Sequence, residues 1–233
     1  MKFPPKYLLR SASFIMMFLF FVSAKQKTNP VYGCSTAEAD AIYTDIKLQD
    51  AGLSLDAFEK AIKGYNKLDS LGQLSNCNII SIADFSQSGN NKRLYVIDLT
   101  NRKILFQTYC AHGKYSGAEF ANYFSNVPGS KKSCLGFFVT MNSYYGDCGY
   151  GMRLKGVEYG FNNNAYYRNI VMHGSNYASE NWIETYGTLG RSWGCPAVPP
   201  QEVNSIIDEI KDGSCFFIYY PDPYYLAYSK FAK

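Results

Sequence analysis

From residue 78 onward, the sequence consists of short apolar runs separated by glycine, proline, asparagine and serine. Runs of about four to eight residues rich in valine, isoleucine, tyrosine and phenylalanine are typical of β-strands. We predict strands over 79–85, 93–99, 103–110, 135–141, 152–156, 169–172 and 214–220. Asn101 and Arg102 are the predicted turn of a hairpin between the second and third of these strands.

Helical patterns are fewer. The tetrapeptide 35–38, Ser-Thr-Ala-Glu, is a capping-box pattern that predicts the start of a helix. A second helix is predicted over 55–68, because its apolar residues recur at helical spacing. Shorter helices are predicted over 118–124 and from Pro199 or Pro200 onward, since proline is favoured in the first turn of a helix.

The order of these elements predicts an α+β protein dominated by β structure. Many short strands and few helices favour a β-sandwich or a partly closed sheet. We predict a leader over 1–24, a helical lead-in over 25–76, a β-rich domain over 77–222 and a C-terminal tail over 223–233. The lead-in is expected to pack one face on the sheet, and a regulatory or docking role is the alternative.

The first 24 residues have the pattern of a secretory signal peptide. Lys2, Lys6 and Arg10 precede an apolar run over 14–22, and small residues follow at 22–24. The run is shorter than the roughly 20 residues of a membrane span, so we expect export, with an uncleaved anchor as the alternative. Without those three basic residues, the chain has nearly equal numbers of basic and acidic residues, which gives no indication of nucleic-acid binding.

The chain has seven cysteines, an odd number for a protein that we expect to be exported. One partition leaves Cys195 free and pairs the other six, and the sequence does not choose among the possible pairings. Those six are Cys34, Cys77, Cys110, Cys134, Cys148 and Cys215. The alternative is that cysteines on predicted strands, such as Cys110 and Cys215, are reduced and buried like small apolar side chains.

One segment near the C-terminal end carries the clearest functional pattern. His173 follows a short apolar run, and Cys195 lies in the run Ser-Trp-Gly-Cys-Pro at 192–196. This run is not regular structure, because Gly194 frees the backbone and Pro196 lacks an N–H. A cysteine on such a loop, with a histidine at a nearby strand end, is a candidate nucleophile and base. A structural cysteine and a structural histidine are the alternatives.

The run Arg-Ser-Trp-Gly-Cys-Pro-Ala-Val at 191–198 follows a His-Gly pair at 173–174. These motifs resemble the YkuD-like L,D-transpeptidases, and more narrowly the murein L,D-transpeptidase branch, over most of 55–220. The resemblance implies that the β-rich domain is a β-sandwich catalytic domain of that family. Many members have a second histidine two residues before the cysteine and an arginine or asparagine two residues after it. Here these positions are Trp193 and Ala197.

The activity that this resemblance implies is acyl transfer on peptidoglycan stem peptides, without a metal or an organic cofactor. Cys195 would form a thioester with a stem tetrapeptide and release its terminal D-Ala, and His173 would transfer the protons. A side-chain amine of a neighbouring stem would then form the cross-link. Carbapenems would acylate the same thiol.

Other residues of these motifs are candidates for orientation and binding. Backbone groups of Ser192, Trp193 and Gly194 are expected to orient His173 or to bind the developing oxyanion. The candidates for substrate contact are His112, Asn176, Tyr177 and Arg191. The alternative for each is a structural role, such as a surface ion pair for the arginine or a backbone hydrogen bond for the histidine.

Three other functions remain open from the sequence. Resolution of the thioester by water would make the protein an L,D-carboxypeptidase or an endopeptidase. A non-catalytic wall-binding module would not need Cys195 and His173, yet both are present. A disulfide-handling protein would need a resolving cysteine close to Cys195 in the sequence. The expected partners are peptidoglycan stem peptides, with no nucleic acid and with membrane association only through an uncleaved leader. The sequence does not indicate the oligomeric state.

Overall fold

The structure is a computed structural model that describes residues 35–233 and, outside that range, only Met1. The predicted leader and Cys34 therefore lie outside the described residues, and export of the chain stays a prediction. None of the helices between residues 35 and 233 has both the length and the apolar character that a membrane span requires.

Eight strands form one hydrogen-bonded sheet. They are β1 (Ile79–Asp84), β2 (Leu94–Asp98), β3 (Lys103–Thr108), β4 (Gly136–Gly146), β5 (Gly149–Gly156), β6 (Val171–Gly174), β7 (Ala197–Val198) and β8 (Cys215–Tyr219). Their spatial order is β3-β2-β1-β8-β4-β5-β6-β7. The β1–β8 and β6–β7 pairs are parallel, and the other neighbours are antiparallel.

The two ends of this strand order are connected through the residues that follow β3. Ala111 forms an antiparallel bridge with Ala197 of β7, and Gly113 forms a parallel bridge with Ser192. The sheet is thus partly closed, and this closure brings the segment after β3 under the loop that precedes β7. The predicted α+β class with dominant β structure is confirmed.

Two helices precede the sheet, α1 (Thr36–Asp45) and α2 (Leu55–Ser70). The Ser35 hydroxyl accepts a hydrogen bond from the Glu38 N–H at 3.2 Å, as the capping-box pattern predicts. The apolar face of α2 is buried in the same hydrophobic core as β1 and β8. The lead-in therefore packs one face on the sheet, as we expected.

One predicted helix is wrong. Residues 118–124 form an irregular loop, because the N–H groups of Asn122 and Tyr123 both donate to the Ser116 carbonyl instead of following the helical pattern. Gly117, at φ +151°, makes this closure possible, since a Cβ there would lie 1.9 Å from a backbone oxygen of the same loop.

The sequence analysis also missed several short elements. They are β7, a 3₁₀ turn (Asn176–Ala178), α3 (Glu180–Tyr186) and α5 (Pro223–Tyr228). α3 has no buried side chain and so shows no apolar periodicity. The helix predicted after the proline pair is present as α4 (Val203–Ile210), with the prolines in the turn before it.

The six described cysteines are all free, so the pairing scheme is wrong for the five of them that it would have bridged. Cys110, Cys134 and Cys215 are fully buried. Burial raises the pKa of the Cys110 thiol to about 12 and that of Cys134 to about 11. These side chains are thus protonated and pack as small apolar groups, which confirms the alternative interpretation for Cys110 and Cys215.

Candidate active site

A cleft of about 820 Å³ lies at the β6–β7 end of the sheet. Three parts of the chain line it: the tip of the β4–β5 hairpin, the segment 168–177 and the segment 191–200. Cys195 and His173 both line this cleft. The structure thus brings together the two residues that the sequence selects as nucleophile and base.

Cys195 is held against β6. The parallel register pairs His173 with Ala197, two residues beyond the cysteine. The Val171 N–H donates to Cys195 Sγ at 3.4 Å, and the thiol lies 3.5 Å from the Asn169 carbonyl oxygen. Burial raises the pKa of the Cys195 thiol, and the Val171 N–H opposes this effect because it stabilises the thiolate.

The turn that carries Cys195 is organised by Ser192. The Ser192 hydroxyl donates to the Cys195 carbonyl at 2.6 Å and accepts from the Gly194 N–H at 3.0 Å. Gly194 has φ +121°, and a Cβ there would lie 2.7 Å from the Lys132 carbonyl oxygen, so the turn requires glycine. Because the Gly194 N–H is already bonded, it is not free to bind an oxyanion. The Cys195 N–H has no acceptor among the described residues.

His173 is oriented by the backbone carbonyl of its neighbour Gly174, and not by a backbone group of residues 192–194 as we expected. Its Nδ1 lies 3.1 Å from the Gly174 carbonyl oxygen. A carbonyl can only accept, so Nδ1 carries the proton and Nε2 is left as a proton acceptor. The ring of Tyr177 lies edge-on to the imidazole, with centroids 6.5 Å apart. Within residues 35–233, no hydrogen bond joins Cys195 to His173.

His112, a predicted substrate contact, is instead an interior residue that is only 2% exposed. Arg93 Nη2 donates to His112 Nδ1 at 2.8 Å, and His112 Nε2 lies 3.4 Å from the Gly117 carbonyl oxygen. Burial, together with the Arg93 charge, lowers the pKa of His112 to about 3, so the ring is neutral. It does not line the cleft, and the geometry supports the structural alternative.

The remaining predicted residues do line the cleft: Asn176, Tyr177, Arg191, Ser192 and Trp193. The Trp193 side chain is 72% exposed, with Lys131 Nζ 4.5 Å from its ring centroid. Arg191 is exposed and donates to the Gly117 carbonyl at 3.3 Å. Burial raises the pKa of Tyr177 to about 12, so its hydroxyl is a hydrogen-bond donor at neutral pH.

Sequence reasoning missed other residues that line the cleft: Asp147, Cys148, Arg168, Asn169 and Val171. Only Val171 had a usable signal, since it precedes His173 by two positions on the same strand face. The others come from turns that no motif marked. Among the described residues, no group of three or more histidine, cysteine or acidic side chains is arranged to hold a metal ion.

The sequence profile of the L,D-transpeptidase catalytic domain matches residues 49–219. A search of curated protein sequences gave no match. An L,D-transpeptidase from Mycobacterium smegmatis aligns at 12% identity and a TM-score of 0.39, covering 61% of this chain and 59% of that one. An L,D-transpeptidase from Stackebrandtia nassauensis aligns at 15% identity and a TM-score of 0.35, covering 79% of this chain and 77% of that one.

The chain thus spans about three fifths of the length of the mycobacterial structure. The profile match covers more than half of the chain and includes every residue of the cleft. The chain therefore belongs to the L,D-transpeptidase catalytic-domain family.

Proposed function

We propose that the protein is a cysteine-dependent L,D-transpeptidase that cross-links peptidoglycan stem peptides. We propose that it reaches the cell envelope by export, directed by its leader. Membership of the family supports the reaction class. The observation that carries the proposal is the shared cleft of Cys195 and His173, in which the histidine keeps Nε2 as a proton acceptor.

In the first half of the reaction, the Cys195 thiolate attacks the carbonyl carbon of the third, L-centred residue of a stem tetrapeptide. The new C–S bond forms as the amide C–N bond to the terminal D-Ala breaks. His173 holds the proton taken from the thiol and donates it to the leaving amine. The products are free D-Ala and a thioester on Cys195.

In the second half, a side-chain amine of a neighbouring stem attacks the thioester. His173 accepts the proton of that amine, the C–S bond breaks and the Cys195 thiolate returns. The N–H groups of Trp193 and Cys195, for which the structure of residues 35–233 shows no acceptor, are the remaining backbone candidates for binding the oxyanion in both halves. If water attacks instead of the amine, the same site is an L,D-carboxypeptidase.

Two cleft residues can form hydrogen bonds with a stem peptide. The guanidinium of Arg191 can bind a carboxylate through paired hydrogen bonds, and the stem ends in one. The Tyr177 hydroxyl, protonated at neutral pH, can donate to a peptide carbonyl. We propose substrate binding for both, with Asn176 and Trp193 forming the adjacent cleft wall.

The test is mass spectrometry of the purified protein incubated with a disaccharide-tetrapeptide. Cys195→Ala removes the nucleophile, and Cys148→Ala is the matched control because it removes the other thiol of the same cleft. We expect a cross-linked dimer that lacks one D-Ala, absent with Cys195→Ala and present with Cys148→Ala. A carbapenem adduct should follow the same pattern.

Other outcomes would change the assignment. Tripeptide without dimer would assign the carboxypeptidase reaction. Intact tetrapeptide, with no carbapenem adduct on Cys195, would contradict the proposal and favour a wall-binding module.

A further inference from the structure

Arg168, at the end of the turn before β6, places a guanidinium beside the loop that carries Cys195. Its Nη1 donates to the Ser125 carbonyl at 2.5 Å. Its Nη2 donates to the Lys132 carbonyl at 2.6 Å and to the Ser130 hydroxyl at 3.2 Å. The three acceptors lie in one connecting segment before β4, so the guanidinium joins that segment to the strand that leads to His173.

All three acceptors are neutral oxygens. The ion pairs formed within residues 35–233 are Lys60–Asp56, Arg102–Asp45 and Lys211–Asp208, and none involves Arg168. Asp147 is the one carboxylate among the residues that line the cleft, and it forms none of these pairs. The charge of Arg168 is therefore held in place by hydrogen bonds to neutral oxygens, without an ion pair.

The same guanidinium packs against the turn that carries Cys195. Nη2 lies 3.3 Å from the position that a Cβ on Gly194 would take, and the Lys132 oxygen that it binds lies 2.7 Å from that position. Gly194 is the residue before Cys195, and Arg168 is itself among the residues that line the cleft. The anionic group that the proposed reaction forms in this cleft is the Cys195 thiolate, on which the Arg168 charge acts electrostatically.

We propose that Arg168 is a positioning residue of the nucleophile, whose clamped and unpaired positive charge stabilises the Cys195 thiolate and the turn that presents it. This inference rests on the proposed function for its role in catalysis, because it deepens the same site. The electrostatic effect itself does not depend on the proposed function, because Arg168 should favour an anion at Cys195 with or without a peptidoglycan substrate.

Several groups act on Cys195 and must be separated from this effect. Burial disfavours the thiolate, the Val171 N–H favours it, and the pKa of the thiol is also raised by Cys148 and lowered by Arg168. The other titratable or charged groups of the cleft, or electrostatically linked to Cys195, are His173, Asp147, Arg191, Tyr144, Tyr177 and Cys134. A substitution of Arg168 removes its positive charge and leaves all of these other side chains unchanged.

The experiment measures the rate of Cys195 alkylation by iodoacetamide against pH in the full-length protein, scored on the peptide that contains Cys195. Arg168→Gln removes the charge, and Arg102→Gln is the matched control, since it removes an arginine charge at the distant β2–β3 hairpin. With Arg168→Gln we expect the pKa of the Cys195 thiol to rise, so that alkylation at pH 7 slows by up to about tenfold. Arg102→Gln should leave the profile unchanged.

Arg168→Lys separates placement of the charge from its presence, because an ammonium group cannot match the fork geometry of the three bonds. We expect its alkylation profile to lie between those of the wild-type protein and Arg168→Gln. A folded Arg168→Gln protein with the wild-type profile would overturn the proposal and leave Arg168 a purely structural residue. If Arg168→Gln does not fold, Arg168→Met takes its place as an uncharged side chain of similar length, and a folded Arg168→Met protein with the wild-type profile would overturn the proposal equally.

The readout keeps this inference distinct from the proposed function. Loss of thiolate character in the Arg168 variants, in a protein that forms no cross-links, would support the role of Arg168 and contradict the transpeptidase. Cross-linking by the protein, with the same Cys195 alkylation profile in the wild-type and Arg168→Gln forms, would support the transpeptidase and contradict the role of Arg168.

Discussion

The two histidines occupy two regions that are alike in sequence and differ in hydrogen bonding and in access to the cleft. Each precedes a glycine, as His112-Gly113 and His173-Gly174; His112 follows β3 and His173 lies in β6. His112 lies in the interior, where Arg93 donates to its Nδ1 and a charge on the ring would be repelled. His173 lies at the cleft, where a carbonyl receives the Nδ1 proton and Nε2 stays available.

The difference shows that the partner of one ring nitrogen decides what the other can do. When Nδ1 accepts from a buried arginine, the ring becomes part of the structure that supports the cleft. When Nδ1 donates to a backbone carbonyl, the ring is poised to accept a proton. Both regions meet at the turn that carries Cys195, because Ser192 donates its N–H to the His112 carbonyl.

The largest expected effect comes from His173→Gln. It removes the proton acceptor of the cleft, so acylation of Cys195 should slow by about 10²- to 10⁴-fold, the usual contribution of a general base. The thermal midpoint should change little, since His173 forms no buried side-chain pair. Stopped-flow acylation by a carbapenem measures the rate. A loss below tenfold in a folded variant would contradict the assignment of His173 as base.

A smaller effect, and one on stability, is expected from His112→Leu. The buried Arg93 would lose an acceptor, which costs about 1–3 kcal/mol, and urea unfolding would show it as a lower midpoint. His112→Asn is the matched control, because an amide oxygen can take the place of Nδ1 and should recover part of the loss. If His112→Leu lowered acylation in the folded protein as strongly as His173→Gln, the contrast between the two histidines would fail.

An effect of similar size is expected on the pH dependence of stability. Because the pKa of His112 is lowered to about 3 in the folded protein, the unfolded chain takes up this proton first as pH falls. Stability from this group is therefore complete above about pH 6.5 and is lost as pH falls towards 3, at up to about 1.4 kcal/mol per pH unit. Urea midpoints at pH 7 and pH 5 measure it. His112→Asn, which cannot be protonated, should show a shallower decline, and an equal decline would contradict the buried neutral histidine.

Much of the fold was accessible from local patterns. The strand predictions located seven of the eight strands, the capping box located α1 and helical periodicity located α2, because these patterns are properties of a few neighbouring residues. The loop at 118–124 was not accessible, since its hydrogen bonds to Ser116 depend on a glycine conformation and not on composition. β7 was not predicted, because two residues form a strand only when a partner strand lies beside them.

The sequence by itself determined the family, the candidate nucleophile Cys195 and the candidate base His173, because the motif around the cysteine is local and specific. Tertiary structure alone decided which histidine faces the cleft, and that Arg168 and Cys148 share it with Cys195. The physical reason is that solvation and charge are set by neighbours distant in the chain. Arg93 and His112, or Arg168 and the Lys132 carbonyl, become partners only when the sheet closes.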